Sequence, residues 1–127
     1  MADFKIDTEI IDIVHGLLAS ISVPKYKKVK PTTPVNPAEY IVINSLPVPA
    51  NVMQKVYVNV NYHVKDLASG VPDKAKLVAG STAVLNLLQK VSTTSYLIDF
   101  EGQATYPEQG QSEHFSNMRF SIKYINN

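Results

Sequence analysis

The chain has 127 residues, a length that fits one domain with a hydrophobic core of its own. Its formal net charge is +1, so no overall field attracts it to nucleic acid or to an anionic membrane. The absence of cysteine excludes disulfides, thiolate metal sites and cysteine nucleophiles.

The first predicted element is an amphipathic helix near the start of the chain. Asp7 is placed to cap this helix, and Glu9 lies near the positive end of its dipole. Acidic residues interrupt the segment and argue against a signal peptide, and no run approaches the roughly 20 apolar residues that cross a bilayer. The sequence therefore predicts a soluble, intracellular protein without membrane contact. The helix has one apolar stripe, formed by Ile10, Ile13, Val14, Leu17, Leu18 and Ile21.

A proline- and lysine-rich segment, at about residues 24–38, follows the helix. It carries four of the eight prolines, and because proline fixes φ, the segment is predicted to be an extended, polyproline-like arm with few internal contacts. Besides a solvated loop, two functions fit the arm. It could cross a neighbouring subunit, which costs an extended segment little entropy, or bind a phosphate backbone. A solvated loop is favoured over phosphate binding, and between the two functions we favour the subunit contact. The arm offers four positive charges and one ring, from Lys25, Lys27, Lys28, Lys30 and Tyr26.

Two predicted strands come next and differ in pattern. Glu39–Ser45 is a dense run of β-forming residues and predicts a strand buried on both faces. Gln54–Asp66 alternates strictly, with valines on one face and uncharged polar or aromatic residues on the other. Exposed tyrosine favours protein contacts, so both an interface and plain solvent exposure are open for the polar face. That face consists of Tyr57, Asn59, Asn61 and His63.

The second half of the chain predicts a helix and two more strands. Leu67–Lys74 predicts a turn into the helix, in which Gly80 leaves room for a close approach. The residues before and after Gly102–His114 again show the period-two pattern of a strand, and Gly102–His114 itself is predicted to be a polar hairpin loop. The order α-β-β-α-β-β predicts a single α+β domain over residues 1–127, with a mainly antiparallel four-stranded sheet and both helices on one face.

The sequence contains no catalytic, metal-binding or cofactor motif. His15, His63 and His114 have no partner at a metal-ligand spacing, and helix-flank or ordinary surface roles are favoured for them. Asp99 and Glu101 share a strand face and could form a close acid pair, although a solvated face is favoured. The chain is therefore predicted not to be an enzyme and to bind no cofactor, while distant residues could still converge on a site.

Three stretches resemble the tail terminator (tail completion) proteins of long-tailed bacteriophages. They are "PAEYIVINS" (Pro37–Ser45), "VYVNVNYHVKD" (Val56–Asp66) and "FSNMRFSIKYIN" (Phe115–Asn126), and the order of elements extends the resemblance over nearly the whole chain. The resemblance implies a subunit that forms a ring, commonly a hexamer, at the head-proximal end of the tail tube. The tube protein and the head-side connector protein would be its partners, in a virion assembled in the host cytoplasm.

The resemblance transfers no catalytic residues, so the interface is assigned from the residues themselves. Nucleic acid would only pass through the ring or touch the basic arm weakly. The alternative function is a small nucleic-acid-binding module that uses the arm. The predicted subunit or partner interface consists of Tyr26, Lys27, Lys28, Lys30, Tyr57, Asn59, Asn61, His63, Tyr106 and Glu108.

Overall fold

The computed structural model describes residues 6–32, 36–46, 55–108 and 110–124. Residues 33–35 of the predicted arm and Gln54 of a predicted strand lie outside these ranges. The chain has the α+β architecture that the sequence predicts. In chain order the elements are α1 (Asp7–Leu17), β1 (Lys25–Lys27), β2 (Glu39–Ser45), β3 (Lys55–Lys65), α2 (Lys74–Leu88), β4 (Tyr96–Pro107) and β5 (Glu113–Tyr124).

The strands form one five-stranded mixed sheet in the order β1-β2-β3-β5-β4. Strands β2 to β5 pair antiparallel with their neighbours, whereas β1 pairs parallel with β2. The predicted four-stranded sheet is therefore wrong by one strand. Prolines flank Lys25–Lys27 without interrupting it, so the Pro24 carbonyl can accept from Ile41 N at 2.9 Å and Lys28 N can donate to Ile43 O at 2.7 Å.

The parallel pairing also explains the path of the predicted arm. Parallel neighbours require the chain to return between them, and the described residues 28–32 and 36–38, here called the strap, belong to this return. The Lys30 ammonium lies 5.8 Å from the centre of the Tyr40 ring, and Asn36 Nδ2 donates to Glu113 Oε2 at 3.3 Å. The prediction of an arm with few internal contacts is thus wrong, because the strap packs on its own subunit.

Both helices contribute to one hydrophobic core against one face of the sheet. The inward valines of β3 are essentially inaccessible, and each buried aliphatic side chain stabilises the fold by about 1.5–3 kcal/mol. Tyr40 to Ile43 in β2 are buried on both faces, as predicted. The cluster joins residues of α1, β2, β3, α2, β4 and β5, among them Ile10, Val14, Leu18, Ile41, Ile43, Val58, Val60, Val84, Leu88, Ile98, Phe120 and Ile122.

The helix ends differ in part from the prediction. Asp7 is the first residue of α1 and does not cap it, and Glu9 Oε1 instead accepts from Ile6 N at 3.2 Å. Asp73 caps α2, since its Oδ1 accepts from Lys76 N at 3.2 Å. Neither helix of the described ranges has the length and apolarity needed to span a bilayer.

The hairpin between β4 and β5 is shorter than predicted. Strand β4 continues to Pro107 and β5 begins at Glu113, so most of the predicted loop, Gly102–His114, is strand. A β-bulge shifts the register between Phe100 and Gly102. Because β4 is an edge strand, it tolerates a proline and needs no apolar alternation, and the pattern there resembles a loop.

Candidate interaction surface

On the face of the sheet away from the core, a row of aromatic rings takes one ring from each of the five strands. In sheet order the rings belong to Tyr26, Tyr40, His63, Phe115 and Tyr106, here called the aromatic row. Successive ring centres are 6.0, 4.4, 4.8 and 5.7 Å apart. The last four rings occupy directly paired positions, so the row follows from the register of the strands. It extends from one edge of the sheet to the other.

The centre of this row is a buried polar cluster. The His63 ring, whose residue is 6% exposed, stacks between Tyr40 and Phe115. Its Nδ1 lies 3.3 Å from Glu113 Oε1, which also accepts a hydrogen bond from the Tyr40 hydroxyl. Asn36 of the strap donates to the other oxygen of the same carboxylate. The Glu113 carboxylate thus links the strap to three strands of the sheet.

Burial determines the protonation of this cluster. It lowers the pKa of His63, although the Glu113 carboxylate acts in the opposite direction. Burial raises the pKa of Tyr40, and the hydrogen bond to Glu113 raises it further. Burial, followed by the charge of Glu113, also raises the pKa of Glu108 at the rim. At neutral pH the cluster therefore contains a neutral imidazole and a protonated phenol, and this phenol donates to Glu113.

A cavity of about 430 Å³ lies between the strap and the aromatic row. Lys28, Lys30 and Glu108 are among the residues that line it. Lys28 Nζ is also 3.4 Å from Asp7 Oδ2, and Lys27 Nζ is 2.8 Å from Asp12 Oδ1. Two predicted interface lysines are therefore paired with carboxylates of α1.

The amides of the polar face bond to each other within the subunit. Asn59 Nδ2 donates to Asn44 Oδ1 at 3.2 Å, and Arg119 Nε donates to Asn59 Oδ1 at 3.3 Å. Asn117 Nδ2 donates to Asn61 Oδ1 at 2.6 Å. The predicted interface residues Asn59 and Asn61 thus form a hydrogen-bonded ladder across the strands.

Tyr57 lies at the other end of the same strand face. It is half-buried, and the Lys55 ammonium is 5.5 Å from the centre of its ring. A cation at this distance from a ring is favourable by about 0.5–1 kcal/mol at an exposed site. Tyr57 is therefore outside the aromatic row and has a partner within its own strand.

The histidines do not all occupy the places that the sequence predicts. The surface role predicted for His63 is wrong, because the strap and the neighbouring rings bury it. His114 has a partner, since its Nδ1 lies 2.6 Å from Asp66 Oδ1. His15 is partly buried on the flank of α1, as predicted, and burial lowers its pKa, followed by the charges of Lys27 and Lys25.

The two ends of the sheet differ in length and charge. Strand β1 has three residues, and residues 24–38 contain four lysines and no acidic residue. Strand β4 has 12 residues, of which Asp99 and Glu101 are acidic and none is basic. Every residue from Asp99 to Pro107 is exposed or partly exposed, and Tyr106 is 49% exposed. The sheet thus ends in a short basic edge and a long acidic edge.

Several residues of this surface are missed by the sequence prediction. Glu113 and Asn36 lie in segments predicted to be a loop and an arm. The alternation of side chains along β2 and β5 places Tyr40 and Phe115 on the same face of the sheet as His63. Only the register shows that they lie beside it.

Comparison with known proteins does not assign this surface to a family. No protein-family model matches the chain. No curated protein matches its sequence.

Proposed function

We propose that this chain is a structural virion protein that forms a ring at the head-proximal end of a phage tail tube and joins the tube to the head-side connector. The observation that carries the proposal is the pair of unlike sheet edges, β1 and β4. A subunit with two different, complementary surfaces associates head to tail, and such association gives a closed ring when the rotation between subunits closes. The resemblance to tail terminator proteins supplies the position in the particle and the number six.

Charge supports a contact between the two edges. The β1 end carries Lys25 and Lys27, and the lysines of the strap follow them. The β4 edge carries Asp99 and Glu101, both exposed. Opposite charges on the two surfaces favour the β1-to-β4 contact and disfavour contacts between like edges.

The buried polar cluster has a structural role in this proposal. The Glu113 carboxylate accepts from Tyr40 and Asn36 and contacts His63, so it fixes the strap to the sheet. A buried network with these mutual contacts orders the surrounding structure. The cluster therefore holds the strap against the sheet.

The alternative of nucleic-acid binding is less well supported. Lys27 and Lys28 are paired with Asp12 and Asp7, and the Lys25 ammonium donates to the carbonyl oxygens of Ile21 and Val23. These contacts reduce the positive charge that the segment presents to a phosphate backbone and to a β4 edge alike, so the preference for the ring rests on the unlike edges and on the resemblance. Binding to a polyanion that weakens steeply with salt would favour this alternative.

Imaging of the native particle tests the proposal. Electron microscopy of virions labelled with an antibody to the chain should show a ring between the tail tube and the head. Native mass spectrometry of the purified chain, alone and with isolated tail tubes, should show a closed oligomer, most simply a hexamer. Scattered single copies in the particle, or absence of the chain from it, would contradict the function.

Charge reversal tests the edge contact on which the ring depends. Asp99→Lys should weaken assembly, because it removes negative charge from the β4 edge that meets the basic β1 edge of the next subunit. Lys74→Glu is a control reversal at an exposed position outside both edge strands. Equal effects of the two reversals would argue against the assigned edges.

A further inference from the structure

We infer, on the basis of the proposed ring, that the aromatic row continues from one subunit to the next. Tyr106 at the β4 edge of one copy contacts Tyr26 at the β1 edge of its neighbour. The occupant of each open edge is thus a second copy of this chain.

The geometry of the row is the first reason for this inference. Neighbouring rings within the subunit are 4.4–6.0 Å apart, close to the range in which aromatic pairs attract. The row ends in a tyrosine at each edge of the sheet, and Tyr106 is 49% exposed. Exposed tyrosine suits a protein contact, because its ring buries area while its hydroxyl can still form hydrogen bonds.

The β4 edge itself is the second reason. Charged residues and bulges prevent an edge strand from pairing with another chain. Asp99, Glu101 and the bulge next to Glu101 protect the first half of β4 in this way. The second half, Gly102–Pro107, contains no charged residue, and this half carries Tyr106. The part of the edge that is open to backbone pairing is therefore the part where the row ends.

Charge on the outer face is the third reason, and it determines which edges meet. Lys30 lies on this face near the β1 end, above Tyr40. Asp99 is paired with Ser121 in the register, and Glu101 Oε2 accepts from the Ser121 hydroxyl at 2.7 Å, so both carboxylates belong to the β4 end. A contact between β1 and β4 places a basic edge beside an acidic edge strand, whereas a contact between two β4 edges places two acidic strands together.

Tyrosine photo-oxidation of the purified chain tests the contact directly. Tyr26 and Tyr106 lie on opposite edge strands of a five-stranded sheet, about 19 Å apart at about 4.8 Å per strand, so a cross-link between them must join two subunits. Mass spectrometry of the cross-linked peptides should show a Tyr26–Tyr106 link that increases with protein concentration. The Tyr96–Tyr124 pair, with ring centres 6.1 Å apart, is an internal positive control.

Conservative variants separate the ring contact from the chemistry of the cross-link. Tyr106→Phe should abolish the link but keep the association, because the aromatic ring remains. Tyr106→Ala should abolish the link and raise the subunit dissociation constant about twofold to tenfold. Tyr57→Phe should change neither, since Tyr57 lies outside the row. Circular dichroism of each variant shows whether it is folded.

The outcomes distinguish this contact from the proposed function. A Tyr106–Tyr106 link, or no Tyr26–Tyr106 link at any concentration, overturns the contact. If imaging then still places a ring at the end of the tail, the proposed function stands with a different interface. If the Tyr26–Tyr106 link forms but the particle contains no such ring, the contact stands and the proposed function is wrong.

Discussion

Gly80→Ala is expected to destabilise the protein, although alanine forms helices better than glycine does. A Cβ added at Gly80 would lie 2.3 Å from Tyr62 Cε1 and 2.4 Å from Cζ. Tyr62 is 4% exposed, and its hydroxyl donates to Glu39 Oε1 at 2.9 Å, so the ring cannot move without losing this bond. Overpacking costs about 1–3 kcal/mol and the lost hydrogen bond about 1 kcal/mol, while the helix gains about 1 kcal/mol. The expected net loss is about 1–3 kcal/mol.

Urea unfolding followed by circular dichroism measures this loss. Gly16→Ala in α1 is the matched control, because nothing lies within 4 Å of the added Cβ, and it should gain up to about 1 kcal/mol. Combining Gly80→Ala with Tyr62→Leu should cost less than the sum of the two single changes, since removing the ring makes room for the methyl group. A Gly80→Ala protein as stable as the wild type would refute the close contact.

Three further predictions concern the strand faces, the pH dependence and a helix cap. Val58→Asp should unfold the subunit, because Val58 is fully buried. Asn59→Asp, on the opposite face of β3, should change the unfolding free energy by less than about 1 kcal/mol. Equal loss of stability in urea unfolding would show that the two faces of β3 are assigned wrongly. Acidification below about pH 6.5 should lower stability, because the pKa of His63 in the folded state is below that in the unfolded chain, so the unfolded state takes up the proton first. His63→Gln should flatten this dependence of stability on pH. Glu108→Gln should steepen it, because the pKa of Glu108 is raised in the folded state and its protonation therefore stabilises the fold as the pH falls. Urea midpoints between about pH 7 and pH 5 that keep the wild-type slope in both variants would contradict these expectations. Asp73→Ala should cost about 1 kcal/mol through loss of the cap of α2, and no change in the urea midpoint would show that the cap is unimportant.

Patterns with a fixed period predict most of the elements of this fold. The valine alternation of β3 and the apolar stripe of α1 each bury the face that the sequence indicates. Strand β1 is missed, because three residues between prolines have too short a pattern to distinguish a strand from an extended arm. The second half of β4 is missed because an edge strand can be polar on both faces.

The candidate surface is less predictable than the elements, because it depends on register. The alternation with the valines of β3 places His63 on the face away from the core, and the structure agrees. Its burial depends on Tyr40, Phe115 and the strap, which come from separate segments of the chain. A single sequence contains no signal that pairs these segments, so neither the aromatic row nor the role of Glu113 could be predicted.

The position of β5 between β3 and β4 has a consequence for the rate of folding. Pairing of β3 with β5 joins residues as far apart in sequence as Lys55 and Lys123, a separation of 68 residues. Contacts between distant residues require the closure of long loops before they contribute stability, and proteins dominated by them fold in about milliseconds to seconds. Until β5 pairs with it, β3 has an open backbone edge and a face of valines, and unpaired apolar strands favour aggregation. We therefore expect slow refolding, with a yield that falls as the protein concentration rises.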